Sequence, residues 1–293
     1  MDGILIINKE KDYTSHDVVA KLRGILHMKK IGHTGTLDPQ AQGVLPVALG
    51  KGTRLVELLT EKKKTYRAVL RLGTETDTQD MTGRILSEKE VSVTEKEVRA
   101  VCQGFLGRQL QVPPMYSALK VNGKKLYELA REGKVVKREP RPVEFYEIHV
   151  ESVNLPLVTL SVTCSKGTYI RTLCHDIGQK LGCGGAMEAL LRTASGKFTL
   201  ADSYTLAEVE SFVKDGTIEQ KVLSISQVLS DYPALCTSQE GTRLLLNGNP
   251  LAPALVEGEE KNGPVRMCRD TGELVGLYRF EERRGMYCPV KMF

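Results

Sequence analysis

No apolar run in this chain of 293 residues approaches the roughly 20 residues that a membrane-spanning helix needs. The start, MDGILIINKEK, has an acid at position 2 and too short an apolar stretch for a secretory signal. It reads as a strand entering a fold, and a cytoplasmic protein is expected. Seven cysteines are present, but no two form a C-x-x-C pair, and the histidines never take H-x-x-x-H spacing. A disulfide framework and a zinc site are therefore not expected, and the thiols read as free and buried. A Walker A loop is missing too. GKGT at Gly50–Thr53 has Gly after the Lys, and Leu45 stands where the first Gly of that motif belongs. No G-x-G-x-x-G follows a strand, so nucleotide binding of either kind is not expected.

What the chain does have is the composition of a globular protein, 41% hydrophobic and 26% charged. Its net charge of +5 is unevenly spread. Residues 1–71 hold 13 Lys+Arg against 7 Asp+Glu, and residues 119–142 hold 8 against 3. Clustered positive charge suits a polyanionic partner, because each neutralised phosphate releases a counterion. A solvated surface helix would look the same from charge alone.

Strand and helix patterns alternate without a regular βαβ beat. GILIINK, KTYRAVLRLGTETDT, RPVEFYEIHVESV and LVTLSVTC read as strands, and SGKFTL as strand-like. SHDVVAKLRGILH reads as a helix capped by Ser15, and TEKEVRAVCQGFLG as one with a Thr94–Glu97 capping box. TRLVELLTE, KKLYELAREG (stopped by Gly133) and YIRTLCHDIGQKLG complete the helices. Long antiparallel-looking strand pairs with separate helices predict an α+β fold. Beyond residue 231 the texture turns Gly-, Pro- and Glu-rich, with a hairpin about Asp270–Gly272. This divides the chain into a domain at 1–230 and a small β-rich domain at 231–293.

One stretch stands apart: IGHTGTLDPQAQGVLPVALGKGTRLV, Ile31 to Val56, glycine-rich and holding a single carboxylate, Asp38, directly before a Pro. A backbone folded that tightly presents Asp38 on a stiff turn. So held, it could be a nucleophile, a base, a metal ligand or a turn-stabilising cap. Three other stretches bear on the choice. Tyr66 sits between basic residues in KTYRA, Tyr116 lies in PPMYSALKVNGKKLY, and Tyr169 and Arg171 stand two apart after a strand in CSKGTYIRTLCHDIG.

With GHTGTLDPQAQGVLPVALGKGTR, KTYRAVLRLGTETDTQD, PPMYSALKVNGKKLYELAREG, CSKGTYIRTLCHDIG and the tail GMYCPVKMF in this order, the chain resembles the bacterial tRNA pseudouridine synthases of the TruB type. The resemblance implies a mixed, mainly antiparallel central sheet flanked by helices, with a PUA-like RNA-binding tail. It also implies isomerisation of the T-loop uridine at tRNA position 55 by an enzyme using no metal and no small-molecule cofactor, acting as a monomer on the T-arm stem-loop. Asp38 would be the essential carboxylate and Arg171 its partner. Tyr66 would stack on the extruded base with its hydroxyl near the carbon that loses a proton. Tyr169 and Leu190 would line the uracil pocket, and His33 would hold the T-loop.

One feature departs from that pattern. The first motif usually reads K-P-x-G-x-T-S, but here NKEKDYTS has Glu10 for the Pro and Asp12 for the Gly. This motif is expected to prop the Asp38 loop, with altered rigidity. The tail, at 8 Lys+Arg against 9 Asp+Glu over residues 230–293, has no charge signature of a strong RNA grip. The rival readings are a guide-RNA-dependent relative, for which 63 tail residues are few, and a catalytically idle tRNA-binding protein.

Overall fold

The computed structural model describes residues 1–121 and 123–293; Asn122, inside the stretch PPMYSALKVNGKKLYELAREG, lies outside the described residues. The chain opens with β1 (Gly3–Lys9), apolar at almost every position because both its faces are covered. Helix α1 (Ser15–Ile25) follows. The expected Ser15 cap is corrected here: Thr14 is the N-cap, in a capping box with Asp17, and Ser15 is the first helical residue. The spacing T-S-x-D favours Thr14, because only an acid three residues after the cap can return a bond to it. Strands β2 (Ile31–His33) and β3 (Gln42–Leu49) flank the Asp38 turn. The expected helix TRLVELLTE is split into a 3-10 turn at Gly50–Leu55 and α2 (Val56–Thr60).

Next come β4 (Lys64–Leu72), β5 (Thr74–Thr76) and β6 (Ile85–Glu88). Helix α3 (Glu95–Gln103) carries the predicted Thr94–Glu97 capping box. Strand β7 (Gly107–Gln111), the short hairpin β8 (Lys120–Val121) and β9 (Lys124–Lys125), and α4 (Leu126–Arg131) follow. Gly133, at φ 72°, ends that helix as expected. The long antiparallel pair β10 (Arg141–Asn154) and β11 (Leu157–Cys164) leads into α5 (Ile170–Lys180) and β12 (Gly185–Ser195). The SGKFTL stretch is a tight hairpin rather than one strand: Ser195 ends β12, Gly196 and Lys197 turn, and Phe198–Thr199 form β13, before α6 (Leu206–Lys214) and α7 (Ile225–Val228).

Nine of these strands form one sheet, in the order β1-β3-β12-β4-β11-β10-β7 with β2 and β13 on its flank. All its pairings are antiparallel except β3 with β12. The predicted α+β class and mainly antiparallel sheet are therefore observed. Along β4, Tyr66, Ala68 and Leu70 face a core built with α1, α5 and α6, while Arg67, Val69 and Arg71 face the other side.

From Ala234 onward a second sheet forms from β14 (Ala234–Thr237), β15 (Val256–Glu257), β16 (Pro264–Cys268), β17 (Leu274–Glu281) and β18 (Met286–Met292), with α8 (Gln239–Leu246) against it. The expected hairpin is β16–β17. Leu277 and Phe293 pack with Ile4, Val44 and Leu55, so this sheet closes the outer face of β1 and β3. Among the described residues no helix is long and apolar enough to cross a membrane, and the seven cysteines are free thiols.

Candidate active site

Asp38 lies in the turn between β2 and β3, and the segment from Lys9 to Ser15 grips that turn on both sides of it. On one side the Leu37 N–H donates to Ser15 Oγ at 2.9 Å. On the other, the Asp12 N–H donates to the Pro39 carbonyl at 2.8 Å, and Gln40 Nε2 donates to Asp12 Oδ1 at 2.9 Å. Lys9, 1% exposed, reaches three carbonyls: Glu10 at 2.9 Å, Tyr13 at 2.5 Å and Pro39 at 3.1 Å. Burial pushes its ammonium down to about 8, the Asp38 charge opposing this and Arg192 adding to it. Gly43 lets β3 lie beside β12: its φ is 104°, and a Cβ there would sit 2.2 Å from the Arg192 carbonyl.

Arg171 enters from the first turn of α5 and is 5% exposed. Its Nε meets Asp38 Oδ2 at 3.0 Å, and Nη1 meets Asp80 Oδ2 at 3.6 Å. Nη1 also donates to the Thr78 carbonyl at 3.2 Å and Nη2 to that of Tyr116 at 2.9 Å. One guanidinium thus spans two carboxylates and two carbonyls, a fan of donors that a lysine could not match. Asp80 is in turn fixed by the Thr78 and Thr82 hydroxyls and by the Thr82 N–H. The Asp38 side chain remains 41% exposed, so its carboxylate is held from behind and open in front.

Tyr66 and Arg192 are cross-strand partners of β4 and β12, as are Ala68 and Leu190. Register therefore puts the phenol and the guanidinium side by side in the sheet. Burial raises the Tyr66 phenol, and the hydrogen-bonding Arg192 guanidinium opposes the shift. Arg192, 1% exposed, donates to the carbonyls of Val44 at 2.6 Å and Gly35 at 3.4 Å, tying β12 to the Asp38 loop. Tyr169 is held by its backbone: its N–H donates to Gln111 Oε1 at 2.8 Å, and Gln111 Nε2 donates to its carbonyl at 3.0 Å. Burial raises this phenol also. His33 is half-buried and accepts from the Gly35 N–H at 3.4 Å, its ring edge-on to His16 at 5.7 Å. Burial, followed by His16 and Arg192, pushes it below the usual histidine range.

The β3–β12 pairing covers only Gln42–Leu191 and Gly43–Arg192. Beyond it the Asp38 turn leaves the sheet, while residues 79–81 pair with Met187 instead. A cavity of about 600 Å³ opens where the sheet parts, lined by Gln40, Gln42, Asp80, Thr82, Leu190 and Leu191.

Of the residues singled out from sequence, Asp38 and Arg171 are in direct contact. Tyr66 and Tyr169 are near enough to feel the Asp38 charge, Leu190 lines the adjoining cavity, and His33 ends the strand entering the turn. Sequence reasoning missed Lys9, Asp80, Gln111 and Arg192. Asp80 lies inside a quoted stretch, KTYRAVLRLGTETDTQD, but its partner is remote in the chain. A buried lysine or arginine leaves no local mark at all.

Comparison with known proteins identifies the family. Residues 23–170 match the TruB family pseudouridylate synthase N-terminal domain, and residues 171–232 match the tRNA pseudouridylate synthase B C-terminal domain. The chain is 47% identical to the tRNA pseudouridine synthase B of Lachnoclostridium phytofermentans over 100% of both chains. It is 48% identical to that of Clostridium novyi, over 94% of this chain and 95% of the other. Among solved structures it is similar to a chain of an H/ACA RNP bound to a substrate RNA containing 2′-deoxyuridine. There the TM-score is 0.74 and the identity 26%, covering 99% of this chain and 84% of that one. Family matches over residues 23–232, together with 47% identity to a relative along the whole of both chains, place this chain in the TruB family of pseudouridylate synthases.

Proposed function

We propose that this protein isomerises the T-loop uridine at position 55 of tRNA to pseudouridine, with Asp38 as the essential carboxylate. The observation that carries the reading is the Asp38–Arg171 contact at 3.0 Å, with Arg171 buried and Asp38 facing outward. Full-length identity to proteins named tRNA pseudouridine synthase B supports tRNA as the substrate.

The reaction breaks the bond from N1 to C1′, turns the uracil and joins C5 to C1′, with a proton leaving C5 and one arriving at N1. Asp38 meets the sugar–base junction, where cation-like charge develops at C1′. The target base has to leave its stack, which costs a few kcal/mol and less for a loop nucleotide. Stacking on the Tyr66 ring returns roughly 1–3 kcal/mol of that. Because burial raises the Tyr66 phenol, its hydroxyl is protonated at neutral pH. It can assist proton removal at C5 as a relay, with Arg192 beside it to steady transient negative charge. Tyr169 and Leu190 shape the uracil pocket, and His33, kept neutral by burial, supports the T-loop.

The basic block 119–142 begins three residues after Tyr116, whose carbonyl accepts from Arg171 Nη2. That placement suits the phosphates of a T-arm stem-loop. We assign residues 1–230 to catalysis and 231–293 to a PUA-like module, in a monomeric cytoplasmic enzyme.

The test is incubation with unmodified tRNA transcript, followed by mapping pseudouridine by position. Product in the T-loop, lost in Asp38→Asn while RNA binding persists, is expected. Turnover by Asp38→Asn would remove the assignment. Product only at other positions would favour a guide-dependent relative, and no product would favour an RNA-binding role.

A further inference from the structure

Asp12 occupies the backbone that a glycine would take, at φ 70°. Asp is one of the few side-chain-bearing residues that tolerate this left-handed region. A glycine there could equally donate its N–H to the Pro39 carbonyl, but it could not supply the carboxylate that receives Gln40 Nε2 at 2.9 Å. A carboxylate only accepts, so the orientation of the Gln40 amide is forced: its NH2 faces Asp12, and Oε1 is left as the spare acceptor. Gln40 stands two residues after Asp38 and lines the 600 Å³ cavity beside Lys11 and Leu190. The segment's remaining ties act on Leu37 and Pro39. Asp12 therefore extends the grip to the part of the turn that walls the cavity.

We propose that Asp12 is a positioning residue for the reaction. Through Gln40 it stiffens the turn carrying Asp38 and aligns the Gln40 carbonyl oxygen as an acceptor for the RNA entering the cleft. This rests on the function given above and adds to it a pair of residues that act as one. A glycine at this φ could hold the same backbone shape but would lack the side-chain latch.

Three substitutions separate the latch from the backbone. Asp12→Gly keeps the φ and removes the carboxylate; Asp12→Asn keeps an acceptor and tolerates the φ; Gln40→Leu removes the amide without touching segment 9–15. kcat and KM are measured separately on a T-arm stem-loop transcript, with amide hydrogen exchange of residues 37–42 in the RNA-free protein. Asp12→Gly and Gln40→Leu should each lower kcat roughly threefold to tenfold, the range of one hydrogen bond. The double variant should be no slower than Gln40→Leu alone, and Asp12→Asn should recover most of the loss. Exchange at 37–42 should quicken alike in Asp12→Gly and Gln40→Leu. Additive losses, an unchanged kcat, or Asp12→Asn behaving as Asp12→Gly would overturn the proposal. If the unaltered protein makes no pseudouridine in that RNA, the functional reading fails, and exchange alone decides: equal quickening upholds the latch, and unchanged exchange in Gln40→Leu overturns it.

Discussion

The two sheets of this chain treat charge in opposite ways. The nine-stranded sheet and its helices bury Lys9, Lys64, Asp80, Arg171 and Arg192, none more than 8% exposed. Among the described residues of the five-stranded sheet and its helix, the buried polar side chains are Thr237 and Thr242, bonded to each other at 2.8 Å. Taking a charge out of water is costly unless partners replace the water. The first sheet meets that cost with backbone carbonyls around each buried cation, and at Arg171 with two carboxylates as well. Lys64, for example, donates to the carbonyls of Thr60 and Lys62. The second sheet closes its core by apolar packing and one hydroxyl pair. Buried charge among the described residues therefore belongs to the first sheet and the elements packed on it, and the second sheet does without it.

The sharpest way to break this contrast is Arg171→Met. It removes the cation that both Asp38 and Asp80 touch. Because the Asp38 side chain is 41% exposed, water offsets part of the cost, and the stability loss should stay below the roughly 3–5 kcal/mol of a fully buried pair. Turnover on a T-arm transcript should fall by roughly a thousandfold. Arg171→Lys should recover little, because an ammonium cannot fork across both carboxylates. Wild-type turnover in the Lys variant would mean that charge alone matters.

A pH series tests the buried lysines next. Burial lowers both Lys9 and Lys64 from the ordinary 10.5 to about 8. Between those values the unfolded chain binds more protons than the folded one, so stability should rise with pH across the window. Turnover should move the other way, because a neutral Lys9 has two donors for three carbonyls and loosens the Asp38 turn. Thermal unfolding and turnover measured from pH 7 to pH 10 should therefore diverge. Turnover flat across that range would show that the Lys9 contacts do not serve the chemistry.

In the second sheet, Thr237→Val removes a buried hydroxyl bond and should cost about 1 kcal/mol of stability in denaturant unfolding. It should leave kcat on the stem-loop unchanged; a loss of kcat would mean that the two sheets are coupled. The smallest effect is expected at Arg67→Gln. Its ion pair with Glu151 is 2.8 Å long but 58% and 36% exposed, and such pairs contribute about 0–1 kcal/mol.

Much of the fold was legible locally. Alternation along KTYRAVLRL predicts a strand with Tyr66 and Arg67 on opposite faces, and β4 has them so. T-E-K-E predicts the Thr94 cap, which α3 has. The Ser15 cap failed because the acid that completes the box pairs with Thr14, and Ser15 is drawn to Leu37, 22 residues away. The SGKFTL strand is broken because the chain turns at Gly196, φ 61°, so that Phe198 and Thr199 pair back onto Ser195 and Ala194.

The same division holds at the site. A glycine-framed acid, a tyrosine in an alternating strand and an arginine opening a helix are features of neighbouring residues, and by itself the sequence determined them, together with the family they point to. Which charges would be buried was decided only by the tertiary structure. Lys9, Asp80 and Arg192 resemble surface residues until Pro39, Arg171 and Val44 are brought against them from 30, 91 and 148 positions away. The physical reason is that burying a charge depends on partners replacing its water, and those partners come from distant parts of the chain that no local pattern names.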